Sequence, residues 1–269
     1  MSTAVYDTLI LSDVHLGSEV SRAADATRML RENRFRRLIL LGDIFSDLNF
    51  RRLTKEHWKF LGYIRKLSNP KRGVEVVWVE GNHDCGLVDV MSHLVGVPAY
   101  EEYSWDYQGR RHVAIHGHQF DRFVVNNALL SAFGTFLHLQ LQKLDFKGKC
   151  FSRYVDRLNT RWLRLSAKVC AGAVEHARNL GAGRIFCGHT HIPLAHQEDG
   201  IEYFNSGCWT DARPTYITVD AEGVRIHEYH ERADDRDSRE ERSQADSESA
   251  EFVTDAGLLE DIEYESVGR

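Results

Sequence analysis

The sequence predicts a layered α/β fold, and two observations favour this class. Short apolar runs typical of buried strands recur along the chain, and segments with the spacing of amphipathic helices lie between them. Short segments bounded by turn residues in the later part of the chain indicate antiparallel strand pairs. With 269 residues, of which 42% are apolar and 28% charged, the chain can bury a substantial core without disulfide bonds.

The elements follow in chain order. Buried strands are predicted at residues 8–11, 37–41, 74–79, 112–115 and 184–187. Helices are predicted near residues 19–33, 54–67 and 169–180, and a run of antiparallel pairs at 201–205, 215–219 and 224–229. The sequence contains no internal repeat, P-loop, dinucleotide-binding glycine pattern or nucleophile-elbow serine, so those enzyme classes are not favoured.

Each of the five predicted buried strands is followed directly by a short polar motif. In order, the motifs are Asp13-Val14-His15, Gly42-Asp43, Gly81-Asn82-His83-Asp84, His116-Gly117-His118 and Gly188-His189-Thr190-His191. Parallel strands place their carboxyl ends along one edge of a sheet, so we expect these motifs to converge on one crevice. A single Asp-x-His or His-x-His would be a weak signal, whereas five motifs at five strand ends are a strong one.

The residue types in these motifs suit a pair of divalent cations. Two cations about 3.5–4 Å apart need a bridging carboxylate, further oxygen and imidazole ligands, and open positions for water and substrate. Asp43 is the predicted bridge. The other predicted ligands are Asp13, His15 and His191 at the first cation and Asn82, His116 and His189 at the second. Mixed nitrogen and oxygen ligation suits Mn²⁺, with Fe²⁺ or Zn²⁺ as alternatives.

Taken together, the ordered motifs resemble those of the calcineurin-like metallophosphoesterase superfamily. The resemblance extends over residues 8–229 and implies a four-layer α/β/β/α sandwich, in which two sheets pack face to face between outer helices. Residues 12–17, 41–44, 115–121, 187–191 and 205–209 look like the bacterial branch related to UDP-2,3-diacylglucosamine pyrophosphohydrolase. Two positions depart from that branch, which usually has Arg where this chain has His83 and Asp where it has His118. The first departure points to a broader or different phosphoester substrate, and the second replaces a carboxylate by an imidazole that could tune or perturb His116.

The resemblance also implies catalytic roles. His83 would protonate the leaving group, and Asp84 would hold the His83 ring in its tautomer and orientation. The implied reaction is hydrolysis of a phosphodiester or pyrophosphate bond. An alternative is a phosphodiesterase or nuclease that acts on cyclic nucleotides or nucleic acid. Nucleic acid is the less favoured substrate, because the chain lacks a long basic track with interleaved aromatic residues. A binding module without catalysis is disfavoured, because every predicted ligand and the acid are present.

An insertion at about residues 121–170 is predicted to form a helical cap that chooses the substrate. At 100° per residue, one narrow stripe of its second helix carries cations and the adjacent arc is apolar. The cations are Arg153, Arg157, Arg161, Arg164 and Lys168. This pairing suits a phosphorylated or nucleotide-linked lipid, or contact with membrane headgroups. An amphipathic helix packed on the sheet, with a solvated basic edge, explains the pattern equally well.

The domain organisation follows from composition. Residues 1–230 are predicted to form the metallophosphoesterase domain, and residues 231–269 an acidic, disordered tail that accounts for most of the net charge of −6. The five cysteines form no Cys-x-x-Cys pair, and the first residues lack the features of a secretory signal. We therefore expect a cytoplasmic enzyme, peripheral to the inner face of the membrane if the cap contacts lipid.

Overall fold

The computed structural model describes residues 5–47, 49–86, 92–93, 95–121 and 150–230, with side chains from residue 165 onward in the last range. The chain divides into two compact units, Met1–Tyr229 and His230–Arg269, and the fold below is that of the first. The predicted acidic tail at 231–269 and most of the predicted cap, residues 122–149, lie outside the described residues.

The first sheet contains six strands. They are β1 (Val5–Leu11), β2 (Arg34–Leu41), β3 (Glu75–Val79), β4 (Ala99–Tyr100), β10 (Thr215–Asp220) and β11 (Gly223–Glu228). Their order in the sheet is β11-β10-β1-β2-β3-β4. The four strands β1 to β4 run parallel, whereas β10 is antiparallel to both β1 and β11. The carboxyl ends of β1, β2 and β3 therefore lie side by side.

The second sheet contains five strands. They are β5 (Glu102–Tyr107), β6 (Arg110–Ile115), β7 (Arg184–Cys187), β8 (Leu194–Glu198) and β9 (Ile201–Asn205), in the order β5-β6-β7-β9-β8. The central strands β6, β7 and β9 are parallel, and the two outer strands pair antiparallel to their neighbours. The ends of β6 and β7 thus lie together as well.

Within the described residues, three α-helices cover these sheets: α1 (Ala23–Glu32), α2 (Lys55–Leu67) and α3 (Cys150–Asn179). Alternate residues of β1 and β2 pack against α1 and α2, among them Leu9 and Leu38. The opposite face, including Ile10, packs with Phe186 of the second sheet. The other face of the second sheet packs against α3 through residues such as Val174. The layers are therefore α/β/β/α, as predicted, and the apolar runs arise because β1 to β3 are covered on both faces.

The structure corrects several predicted elements. Residues 150–179 form one helix, where the sequence suggested separate helices around 153–168 and 169–180. β9 and β10 lie in different sheets, so the predicted run of antiparallel pairs is broken between them. The short strand β4 and the strands β5 and β8 were not predicted. Although α3 is long, none of the described helices combines length and apolar character sufficient to cross a membrane.

Candidate metal centre

The loops after β1 and β2 run together and are tied by backbone hydrogen bonds. The Asp13 N–H donates to the Gly42 carbonyl and the His15 N–H to the Asp43 carbonyl, both at 3.0 Å. On the second sheet, the Gly188 N–H donates to the His116 carbonyl at 3.0 Å. The two sheets meet where the His189 N–H donates to Asp13 Oδ2 at 3.1 Å. Loops from both sheets therefore form one site.

Left-handed backbone is concentrated in these loops. Positive φ angles between 50° and 67° occur at five predicted ligands: Asp13, His15, Asp43, His189 and His191. Among the described residues, only Gln108 and Asp199 are further non-glycine residues with positive φ. A non-glycine residue in this region costs of order 1–3 kcal/mol, and such costs are retained where function depends on the geometry.

Glycines in the motifs make room for ligand side chains. A Cβ on Gly42 would overlap His116 Nδ1, and a Cβ on Gly81 would overlap Asp43 Oδ1. A Cβ on Gly188 would lie 2.6 Å from Asp13 Oδ2. The glycines are therefore required because neighbouring ligands pass directly over them.

The described donor atoms form three overlapping groups, each with all atoms within 4.8 Å of one another. One group is Asp13, His15 and His191, another is His15, Asp43 and His83, and the third is Asp43, His116 and His189. Asp43 belongs to two groups, which is the arrangement expected of a carboxylate between two cations. The structure thus brings together Asp13, His15, Asp43, His116, His189 and His191.

Several buried atoms in this site make no hydrogen bond of normal geometry, although ionisable groups lie 3.1 to 3.5 Å from three of them. They are Asp13 Oδ1, Asn82 Oδ1, His116 Nε2, His189 Nε2 and His118 Nδ1. Buried polar atoms normally find partners, because an unsatisfied one costs about 1–3 kcal/mol. A cluster of acceptor-type atoms with this deficiency fits divalent cations. Asn82 joins the cluster through its neighbour, since the His83 N–H donates to Asp43 Oδ1 at 2.9 Å.

The orientation of His116 is fixed from behind. Its Nδ1 lies 2.8 Å from the Leu41 carbonyl, which can only accept, so Nδ1 carries the proton. Its Nε2 therefore points to Asp43, at 3.3 Å from Oδ2. A backbone carbonyl behind a histidine is the usual means of presenting the other ring nitrogen to a metal.

Strong electrostatic coupling accompanies this burial. Burial alone would lower the pKa of His116, but the charge and hydrogen bond of Asp43, together with Asp13 and the Leu41 carbonyl, outweigh burial and raise that pKa to about 9. Burial alone would raise the pKa of Asp43, but the charges of His116 and His83 hold that pKa well below the ordinary value. At His15, burial dominates and lowers the pKa to about 4. Buried carboxylates need compensating positive charge, and protons on imidazoles and metal cations are alternative sources of it.

His83 and Asp84 occupy different environments, which corrects one predicted role. Asp84 is buried, and its two carboxylate oxygens accept hydrogen bonds from the Ile44 and Phe45 N–H groups at 3.0 and 2.8 Å. The His83 ring instead places Nδ1 2.8 Å from the Ser46 carbonyl. The prediction that Asp84 orients His83 is therefore wrong: Asp84 holds the loop that follows the Asp43 motif, and Ser46 orients His83.

Further residues at the site were not singled out from the sequence. Asp121 Oδ2 lies 3.5 Å from His189 Nε2. The Ser12 hydroxyl hydrogen-bonds Asp13 and lies 2.7 Å from the Ser206 hydroxyl. An acidic residue shortly after the His-x-His motif was the only available signal for Asp121. Ser206 is far from Ser12 in the sequence, so spacing could not have revealed that contact.

His118, whose role the sequence left open, lies beside the predicted second cation. Its ring centroid is 5.6 Å from that of His116 and 6.3 Å from that of His189. Burial, followed by the charges of those two histidines, lowers the pKa of His118 to about 4. A neutral imidazole is therefore favoured here.

The side chains of most of the predicted substrate-binding residues lie outside the described part of the structure. Arg153, Arg157, Arg161 and Arg164 lie on the backbone of α3, but their side chains are outside the described residues. Lys168 is exposed on the same helix.

Comparisons with known proteins extend these observations. The profile of the family described as calcineurin-like phosphoesterase matches residues 6–193. No curated protein sequence matches the chain.

Solved structures with a similar fold include three with low sequence identity. A novel archaeal phosphodiesterase is 14% identical, with 82% of this chain and 99% of that chain covered and a TM-score of 0.44. The phosphoesterase Yfce from E. coli is 17% identical, with coverages of 81% and 90% and a TM-score of 0.45. Vps29 from Chaetomium thermophilum is 10% identical, with coverages of 84% and 90% and a TM-score of 0.46. Because the family profile alone spans more than half of the chain, the protein belongs to the calcineurin-like phosphoesterase family.

Proposed function

We propose that this protein is a dinuclear metal-dependent hydrolase of a phosphodiester or pyrophosphate bond, and that its substrate is an amphiphile of the UDP-diacylglucosamine type. The observation that carries the proposal is the set of three overlapping donor groups, two of which share Asp43, together with the buried atoms around them that make no normal hydrogen bond. Members of the family typically bind divalent metals, and we propose Mn²⁺ as the native ion, with Fe²⁺ or Zn²⁺ as alternatives.

In this proposal, Asp13, His15 and His191 hold one cation and Asn82, His116 and His189 the other, with Asp43 between them. When bound, such a cation pair supplies Lewis-acid polarisation of the phosphoryl group and an activated water. The contribution of the chain is to fix these side chains before substrate arrives. The Leu41 carbonyl behind His116 and the His189 N–H on Asp13 are the contacts that do so.

His83 is the proposed general acid. The side chain is 21% exposed, and Nε2 lies 3.9 Å from Asp43 Oδ2, so the ring can reach a ligand at the site. Since Nδ1 must donate to the Ser46 carbonyl, the ring can give a proton from Nε2 only in its imidazolium form.

The lipid part of the proposal comes from α3. The sequence resemblance to the UDP-2,3-diacylglucosamine branch and the cationic stripe that includes Arg157 and Arg161 both favour an anionic group joined to an apolar body. We propose that this helix binds the lipid-linked substrate and contacts the membrane surface from the cytoplasmic side.

A substrate panel tests the reaction. Wild-type enzyme with Mn²⁺ is assayed on UDP-diacylglucosamine, CDP-alcohols, cyclic nucleotides, a chromogenic phosphodiester and a phosphomonoester, with Asp43→Asn as the metal-site control. We expect the diesters and pyrophosphates to be cleaved and the control to be inactive. Cleavage of monoesters alone would overturn the proposal, and preference for cyclic nucleotides would favour the alternative phosphodiesterase.

A double substitution tests the role of α3. Arg157→Glu with Arg161→Glu should raise KM for the acylated substrate at least tenfold, because repulsion replaces attraction to the anionic group. The KM for the small chromogenic diester should change little. Lys168→Glu, a single charge reversal on the part of the helix with described side chains, should raise KM for the acylated substrate by a smaller factor. Equal effects on both substrates would remove α3 from substrate recognition.

A further inference from the structure

His57 lies at the start of α2 and belongs to none of the five motifs. The residue is 4% exposed, although it follows a surface turn and precedes the half-exposed Trp58. From the sequence it is an ordinary core or surface histidine. Its hydrogen bonds, however, connect α2 to the first metal-site loop.

A single ring nitrogen makes both connections. His57 Nδ1 accepts from the Thr54 N–H at 3.1 Å and from the Gly17 N–H at 3.2 Å. A nitrogen that accepts carries no proton, so the hydrogen of the neutral ring is on Nε2. Burial, the main influence, lowers the pKa of His57, which agrees with a neutral ring.

Gly17 ends the loop that carries Asp13 and His15. Within that loop the Asp13, His15 and Leu16 N–H groups donate to carbonyls of residues 42–44. The Gly17 N–H is different, because its acceptor is a side chain on a helix outside the motifs. The far end of the loop is therefore held by α2, while its middle is held by the neighbouring loop.

This end of the loop needs a restraint. Asp13 and His15 have φ angles of 53° and 50°, a conformation that non-glycine residues leave readily unless their surroundings hold them. The helix that supplies the restraint is fixed in the core by Phe60 and Ile64, both with no exposed surface. Through the hydrogen bond from the Gly17 N–H, His57 thus ties the end of the loop to a well-packed helix.

We propose that His57 is a positioning residue for the first cation, which it serves by holding the Gly17 N–H and through it the His15 side chain. The expected effect of His57 on catalysis rests on the proposed function, whereas its expected effect on cation binding does not. A role confined to capping α2 would leave cation binding unchanged.

The test compares variants that keep or remove the acceptor. Asn places Oδ1 near the position of the histidine Nδ1, so His57→Asn should preserve both hydrogen bonds. Ala removes the acceptor, and Gln is a polar variant of similar length whose oxygen falls elsewhere. Ile64→Ala is the matched control, since it destabilises the same helix while leaving the hydrogen bond between the Gly17 N–H and His57 in place.

Three quantities are measured on the full chain: Mn²⁺ affinity by calorimetry, protection of the Gly17 amide from hydrogen exchange by NMR, and kcat/KM on the best substrate of the panel. We expect His57→Ala and His57→Gln to weaken Mn²⁺ binding about tenfold or more and to lose Gly17 protection, as outer partners of ligands do. His57→Asn should restore both, and Ile64→Ala should lose stability while keeping Mn²⁺ affinity.

The outcomes separate the two proposals. Mn²⁺ affinity that stays at the wild-type value in both His57→Ala and His57→Gln would overturn the positioning role. The same would follow if Ile64→Ala weakened Mn²⁺ binding as much as they do. If the wild type binds Mn²⁺ but cleaves nothing in the panel, the proposed function fails, and the affinity series still decides the role of His57.

Discussion

At the scale of single residues, the site depends on the absence of a side chain at Gly81 as well as on the side chains that are present. Gly81 has no positive φ, so conformational freedom does not explain it. Its importance is steric, because a Cβ there would occupy the space of the Asp43 carboxylate and backbone nitrogen. The bridging position between the two donor groups is thus defined partly by a residue without a side chain.

Gly81→Ala should therefore displace Asp43. We expect at least a tenfold loss of Mn²⁺ affinity and a stability cost of about 1–3 kcal/mol from overpacking. Gly62→Ala is the control, because Gly62 lies in α2 with nothing within 4 Å of its added Cβ. That change should stabilise the helix by about 0.5–1 kcal/mol. Calorimetric titration and urea unfolding measure the two effects, and unchanged affinity in Gly81→Ala would refute the steric argument.

His83→Ala should lower kcat by about 10²–10⁴ while the metal content measured by atomic absorption stays constant. The reason is that His83 is not among the seven proposed ligands, and the Ser46 carbonyl rather than a cation holds its ring. Asp84→Asn is the contrasting variant. It leaves one side-chain oxygen for two N–H donors, so stability should fall and the His83 ring should keep its position. Near wild-type turnover of His83→Ala would exclude it as the acid.

At the scale of elements, the ends of buried strands were predictable, whereas three of the four edge strands, β4, β5 and β8, were not. β1, β2, β3, β6 and β7 are covered on both faces, so their apolar runs stand out and the motifs after them could be located. β8 has the sequence Leu-Ala-His-Gln-Glu and is mostly exposed, so it carries no hydrophobic pattern to detect. The role of Asp84 could not be read either, because adjacency to His83 gives no information on where the carboxylate points.

β9 is joined to its sheet by charge as well as by its ladder. The Glu202 carboxylate accepts hydrogen bonds from Arg110 on β6 and Arg184 on β7, both at 2.6 Å. Burial acts to raise the pKa of Glu202, but the two guanidinium groups outweigh it, so the pKa lies below the ordinary value of 4.5. The unfolded chain therefore takes up this proton first as the pH falls.

The stabilisation by Glu202 should be complete above pH 4.5 and be lost as the pH falls through the lower folded-state pKa. Glu202→Gln should cost about 1–2 kcal/mol at pH 7 and progressively less in acid. Urea unfolding at a series of pH values measures the difference, with the exposed Glu222→Gln as control. If the difference in free energy of unfolding between wild type and Glu202→Gln did not decrease as the pH falls, this assignment would be contradicted.

At the scale of the whole molecule, the candidate metal centre spans both sheets. Predicted ligands in the loops after β1 and β2 face predicted ligands in the loops after β6 and β7. The intersheet core that includes Ile10 and Phe186 fills the space between the sheets elsewhere. Cations bound there would bind the folded state alone, since the donor groups are far apart in sequence.

Mn²⁺ should accordingly raise the melting temperature. At about one hundred times its dissociation constant, a ligand specific for the folded state adds about 2.7 kcal/mol, which corresponds to roughly 5–10 °C for a domain of this size. Differential scanning calorimetry with Mn²⁺ and with EDTA measures the shift, and Asp43→Asn should abolish most of it. A melting temperature that does not respond to Mn²⁺ in the wild type would exclude tight cation binding.

The hydrogen bond from the His189 N–H to Asp13 has a wider consequence, because its two partners belong to opposite sheets. Any slight opening of the sandwich would part the donors of one cation before it disrupted either sheet. A substitution between the two sheets, such as Phe186→Leu, should then weaken cation binding while the molecule remains folded. Ion retention would thus report on how tightly the two halves of the domain are closed.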